Sequence, residues 1–164
     1  GHTAEGGSSA REVAAPAQPL DIEMPITQAG KGVLHDGVPA SAAVDAWFET
    51  CSDPLLSSDW IVTEFASALS LKERSGMLGA KDARAAWRGF ESFCESGLRL
   101  IAVSRQAFKE GARLARQQSH GLRAGDALHL AVALEVGAKA MATLDATLVA
   151  NARRLKMRTV KFSG

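Results

Sequence analysis

Apolar residues recur along this chain at two spacings, and the alternation between them outlines most of its elements. From Pro39 onward, Ala43, Val44, Trp47 and Phe48 fall on one side of a helix whose first turn accommodates Pro39. Leu55-Leu-Ser-Ser58 is short and closed in by polar residues, as a buried strand would be. A second helix is predicted through Trp60, Ile61, Phe65, Ala68, Leu69 and Leu71, with Gly76 and Gly79 punctuating its end. A third runs from about Lys81 to Cys94. Leu98 to Val103 alternates like a strand, and Ser104 is suited to cap the next helix. Ala107, Phe108, Ala112, Leu114 and Ala115 mark that fourth helix, and the unit ends near Gly121. Asp126 to Leu134 is expected to be helical, Ala140 to Leu144 a strand, Thr147 to Leu155 a helix and Met157 to Phe162 a closing strand. Strands alternating with helices imply an α/β fold with a parallel sheet covered on both faces.

Residues 1–37 break this rhythm: they are rich in Gly, Ala, Ser and Pro, contain no aromatic residue and show no sustained helical period. Within them, Leu20-Asp21-Ile22-Glu23-Met24 alternates apolar with acidic residues, and the flanking Pro19 and Pro25 shorten any strand there. The chain therefore divides into an atypical segment over 1–37 and a domain over 38–164. With 164 residues, 46% of them hydrophobic, one core forms without disulfide or metal staples. A net charge of +1 neither requires nor excludes a nucleic-acid partner. Cys51 and Cys94 have no CxxC or Cys/His spacing, so they are expected to be reduced core cysteines and not part of a disulfide framework or zinc site. His129, Glu135, Gly137 and Lys139 interrupt the apolar run from Ala127 to Leu144, which argues against a membrane span. No secretory pattern opens the chain, and a cytoplasmic location is the expectation. No Ser-His-Asp order, phosphate loop or dinucleotide fingerprint is present.

Three acids stand out because their surroundings are apolar. Glu64 follows Trp60 by four residues and precedes Ala68 by four, so it shares the apolar stripe of its helix and should point inward. Asp126 opens a helix that is apolar nearly all round, and Asp145 lies between a strand and the next helix, at the carboxyl end where parallel sheets gather their sites. Each has a purely structural alternative as a helix cap or a favourable first-turn charge. Their convergence on one sheet edge would favour a shared cation, because buried carboxylates repel one another and cost several kcal/mol unless compensated. All-oxygen ligation without a His or Cys pattern suits Mg²⁺ or Mn²⁺, and such a site serves phosphodiester hydrolysis. Thr63 and Thr143 stand beside two of the acids and are candidates to orient water or a carboxylate. Arg123 is close enough in sequence to Asp126 to meet a phosphate or pair with the acids. His129, one turn after Asp126, is expected to be a satisfied core histidine. Lys72, Arg74, Arg113 and Arg116 fit an RNA path or a solvated helix face equally well.

Thr63-Glu64, Arg123-Ala-Gly-Asp126-Ala-Leu-His-Leu-Ala and Thr143-Leu-Asp145 resemble, in this order, the second, third and fourth acidic motifs of PIN-domain ribonucleases, particularly VapC-type toxins of toxin-antitoxin systems. The resemblance spans about residues 39–162. It implies a PIN-like three-layer α/β/α sandwich with a central, mainly parallel sheet, and Mg²⁺- or Mn²⁺-dependent endoribonuclease action on RNA. Glu64, Asp126 and Asp145 would be the metal-binding and catalytic residues. Homodimerisation and inhibition by a VapB-type antitoxin are further implications. The chain departs from the family where a buried strand should end in the first Asp: Asp21 and Asp36 are the candidates near that place, and neither follows such a strand. Read one base out of frame, codons for residues 30–37 can encode Val-Lys-Ala-Tyr-Phe-Thr-Thr-Glu, which resembles what this family carries there. Without its first Asp the chain would be an impaired PIN-like module binding nucleic acid or antitoxin. A small α/β protein whose three acids are caps is the third possibility.

Overall fold

The strands are short because each pairs over only a few residues, and all of them pair in parallel. A computed structural model of the chain describes residues 22–23, 47 and 55–162. Strand β1 (Ile22–Glu23) is central, with β2 (Leu55–Ser58) on one side and β4 (Ala140–Met141) on the other. Beyond them lie β3 (Arg99–Ile101) and β5 (Arg158–Thr159), giving the order β3-β2-β1-β4-β5. Ile22 is in register with Leu55 and Ala140, and Glu23 with Leu56 and Met141. The chain builds outward on one side of β1 and then crosses to the other. The carboxyl ends of β1 and β4 thus flank the point where the strand order reverses, the usual crevice of an open parallel sheet.

Five α-helices are present among the described residues: α1 (Trp60–Arg74), α2 (Ala80–Ser96), α3 (Arg105–Ala115), α4 (Ala124–Glu135) and α5 (Ala146–Arg154). Helix α1 buries Ile61, Phe65, Leu69 and Lys72 along one stripe. There Phe65 stacks on Phe90 of α2 with ring centroids 4.2 Å apart, and Trp87 closes the cluster. Leu71 falls off this stripe and is 57% exposed, so its expected core role is corrected, whereas Lys72 turns inward. Ser104 caps α3 by accepting the Ala107 amide at 2.9 Å, as its sequence position predicts. Phe108 of the same helix is 51% exposed: the buried side of α3 is drawn by Ala107, Gly111 and Leu114 instead.

Helix α4 buries every residue from Ala127 to Ala133, in keeping with its unbroken apolar composition. It lies against α3 so closely that a Cβ on Gly111 would come 3.2 Å from Leu128 Cδ2. The strand expected over 140–144 is observed only at Ala140–Met141, which are in register with Ile22–Glu23 on one side and Arg158–Thr159 on the other. Of the helix expected from Pro39, Trp47 is helical, with its ring edge-on to Phe162 at 5.7 Å. The remainder of that helix, together with Asp21, Asp36 and Cys51, lies outside the described residues. No helix among the described residues is long and apolar enough to cross a membrane.

Leu130 is fully buried in α4, so Leu130→Ala is expected to cost about 2–5 kcal/mol in chemical denaturation, while Leu71→Ala should stay within about 0.5 kcal/mol.

Candidate functional site

Glu64 sits in the second turn of α1 with its side chain 20% exposed. Its Oε2 is 2.6 Å from Nε2 of His129, and the other ring nitrogen, Nδ1, is 2.9 Å from Oγ of Ser58 at the end of β2. His129 and Ser58 are both fully buried. A carboxylate oxygen accepts, so the Nε2–H of His129 donates to Glu64, and Nδ1 shares the second hydrogen bond with the Ser58 hydroxyl. The other carboxylate oxygen, Oε1, lies against Gly125 in the first turn of α4. A Cβ there would overlap Oε1 and stand 2.9 Å from Nε1 of Trp60. The absent side chain is therefore what lets α4 close onto Glu64.

Asp126 is half-buried in that same first turn. Burial pushes its carboxyl pKa up, and the negative charges of Asp145 and Glu64 push it further, against smaller opposing effects of His129 and Arg123. The charges of acids from two other elements thus reach this carboxyl group. Asp145 is also the N-cap of α5: its Oδ1 accepts the Leu148 amide at 2.8 Å, and its own amide donates to the buried Thr143 hydroxyl at 3.1 Å. The capping alternative and the cluster alternative are here the same residue. Arg123 is exposed immediately before α4 and its charge favours ionised Asp126, and Thr63 is exposed on α1.

Of the basic residues that could follow an RNA strand, Lys72 is buried, Arg113 pairs with Glu110 at 2.6 Å and Arg74 donates to Ser70. The sequence pattern marks His129 as a satisfied core histidine, which it is, but carries no sign of its link to Glu64. Gly125 and Ser58 are missed by the pattern altogether. Their signals are a glycine inside a first helical turn, where it costs about 1 kcal/mol relative to Ala, and a hydroxyl at the end of a buried strand.

The donor set consists of carboxylates, which suits a hard divalent cation in kind. Among the described residues, however, no three His, Cys, Asp or Glu side chains are gathered tightly enough to hold an ion. Glu64 is drawn instead to His129.

The profile of the PIN domain family matches residues 32–154. The chain belongs to the PIN domain family. The VapC20 toxin of Mycobacterium tuberculosis, described as cleaving the sarcin-ricin loop, superposes with a TM-score of 0.63 at 16% identity, over 80% of this chain and 95% of that one. PAE2754 from Pyrobaculum aerophilum gives a TM-score of 0.59 at 20% identity, over 87% of this chain and 92% of its own. A different likeness links 46 residues, 28% of this chain, to the glycerol-3-phosphate dehydrogenase of Thiobacillus denitrificans at 52% identity. The chain spans only 14% of that enzyme's length.

In the unfolded chain Asp126 ionises at its ordinary value; in the fold it does so only at higher pH, so stability falls as the pH rises through that interval. Asp126→Asn should therefore melt above wild type in metal-free neutral buffer, and the gain should vanish in acid, where both forms are uncharged. Thermal melts of the two proteins across this range measure it.

Proposed function

We propose that the protein is a divalent-cation-dependent endoribonuclease that hydrolyses RNA phosphodiesters as the toxin of a toxin-antitoxin pair, on a three-layer α/β/α scaffold. The observation that carries this reading is the influence of Glu64 and Asp145 on Asp126 at the carboxyl edge of a parallel sheet, in a chain of the PIN family. Carboxylates that repel one another across a shared cleft favour a countercharge between them, and a hard cation supplies it. Glu64, Asp126 and Asp145 would hold it, and when bound it would acidify a water and neutralise charge on the phosphodiester.

The residues around the acids have separable tasks. Arg123, exposed at the start of α4, is placed to meet a phosphate from the solvent side. Thr143 fixes the Asp145 backbone through its hydroxyl, and the α5 amide that Asp145 accepts holds the carboxylate at the strand end. Exposed Thr63 offers a hydroxyl beside Glu64. A VapB-type antitoxin, a homodimer and a cytoplasmic setting belong to the same reading. VapC20's described target makes a structured RNA the first substrate to assay.

A second reading, an impaired PIN-like module that binds RNA or antitoxin without cutting, draws on one observation: three acids interact, and the described side chains do not close around an ion. The two readings separate on one measurement. In Mg²⁺ or Mn²⁺ the wild type should cut RNA, chelation should stop it, and Asp126→Ala should slow it by about 100-fold or more with an unchanged circular dichroism spectrum. Wild type that binds RNA in both ions and leaves it intact selects the second reading.

A further inference from the structure

Glu64 has two oxygens in different surroundings, and the difference is built by residues outside the acidic set. Oε2 is committed to His129, whose ring is fixed from its other side by Ser58, and both partners are fully buried. Oε1 occupies the space left by the missing side chain at Gly125, at the turn of α4 that also carries Asp126. The ring cannot swing away without stranding a buried hydroxyl in the sheet, so the anchor is rigid.

We propose that Ser58 and His129 are positioning residues that hold Glu64 by Oε2 and present Oε1 as its single oxygen toward a divalent cation, with Gly125 kept bare to give that oxygen its place. This rests on the cation reading above. Buried hydrogen-bond partners of metal ligands typically contribute about 10- to 100-fold in metal affinity.

Titration with Mn²⁺, followed by calorimetry and by the electron paramagnetic signal of the free ion, tests this without relying on cleavage. His129→Leu removes the donor and should weaken Mn²⁺ binding by about tenfold or more. His129→Gln restores an amide donor at a similar reach and should recover most of that loss, a rescue that filling the core alone would not produce. The double substitution Ser58→Ala with His129→Leu removes both polar groups together, so it folds without a stranded hydroxyl and should bind as weakly as His129→Leu. Gly125→Ala should weaken binding with His129 intact, by displacing Oε1. Wild type that binds Mn²⁺ no better than either His129→Leu variant overturns the positioning role and leaves the cation reading standing. Wild type that binds no Mn²⁺ overturns the cation reading itself.

Discussion

Everything at the site depends on α4 having to be buried. Ala127 to Ala133 admit no solvent on any side, so the helix must be walled in by α3, by α1 and by the face of β2. Such a helix can carry polar groups only at its ends or where a partner is provided. Asp126 takes the first option, at the opening turn, where the helix dipole favours negative charge. His129 takes the second, one turn deeper, and is satisfied from the sheet by Ser58 and from α1 by Glu64. Burying α4 therefore draws a strand end and a helix toward the same few ångströms. Gly111 on one flank and Gly125 at the start are the places where that approach would be blocked by a side chain.

Burial is the first reason that the proton affinity of Asp126 rises, and two neighbouring negative charges, Asp145 and Glu64, add to it. Glu64 has a histidine at one oxygen and Asp145 has a backbone amide at one of its own, so both are held in place. Asp126 feels both charges and receives only partial relief from His129 and Arg123. The helix-cap and metal-ligand interpretations of such residues are usually set against each other. Here the two are compatible: Asp145 caps α5 and its charge still reaches Asp126, because an N-cap side chain sits where a parallel strand ends and its helix begins.

Much of this is legible in the amino-acid order. The helices announce themselves through a 3.6-residue period, Ser104 through its place before an apolar run, and the three acids through their apolar neighbours. Phe108 and Leu71 mislead because a large apolar side chain does not report which side of a helix is buried; the small residues Ala107 and Gly111 decide it for α3. The strand ends are overestimated from sequence because strand length is a property of pairs: β5 pairs with β4 only through Arg158 and Thr159. The link between His129 and Glu64, 65 positions apart, is a tertiary contact that no local pattern encodes.

The centre of the sheet carries the sharpest constraint on this chain. β1 fills it with two residues, and it lies ahead of the span 32–154 that matches the PIN family. Without a strand in that position, β2 and β4 would each present an unpaired edge along buried residues, Leu56 and Met141, which an isolated parallel sheet does not tolerate. The same position borders the crevice where strand order reverses, the place where the family's first acid would stand. On the proposed cation reading, one short segment is asked both to close the sheet and to complete the charge around Asp126. A substitute strand can meet the first demand by backbone pairing alone, since parallel ladders read backbone and not sequence. The second demand is specific to one side chain. A chain with this segment can for that reason keep its fold while the strength of the proposed cation site is set independently.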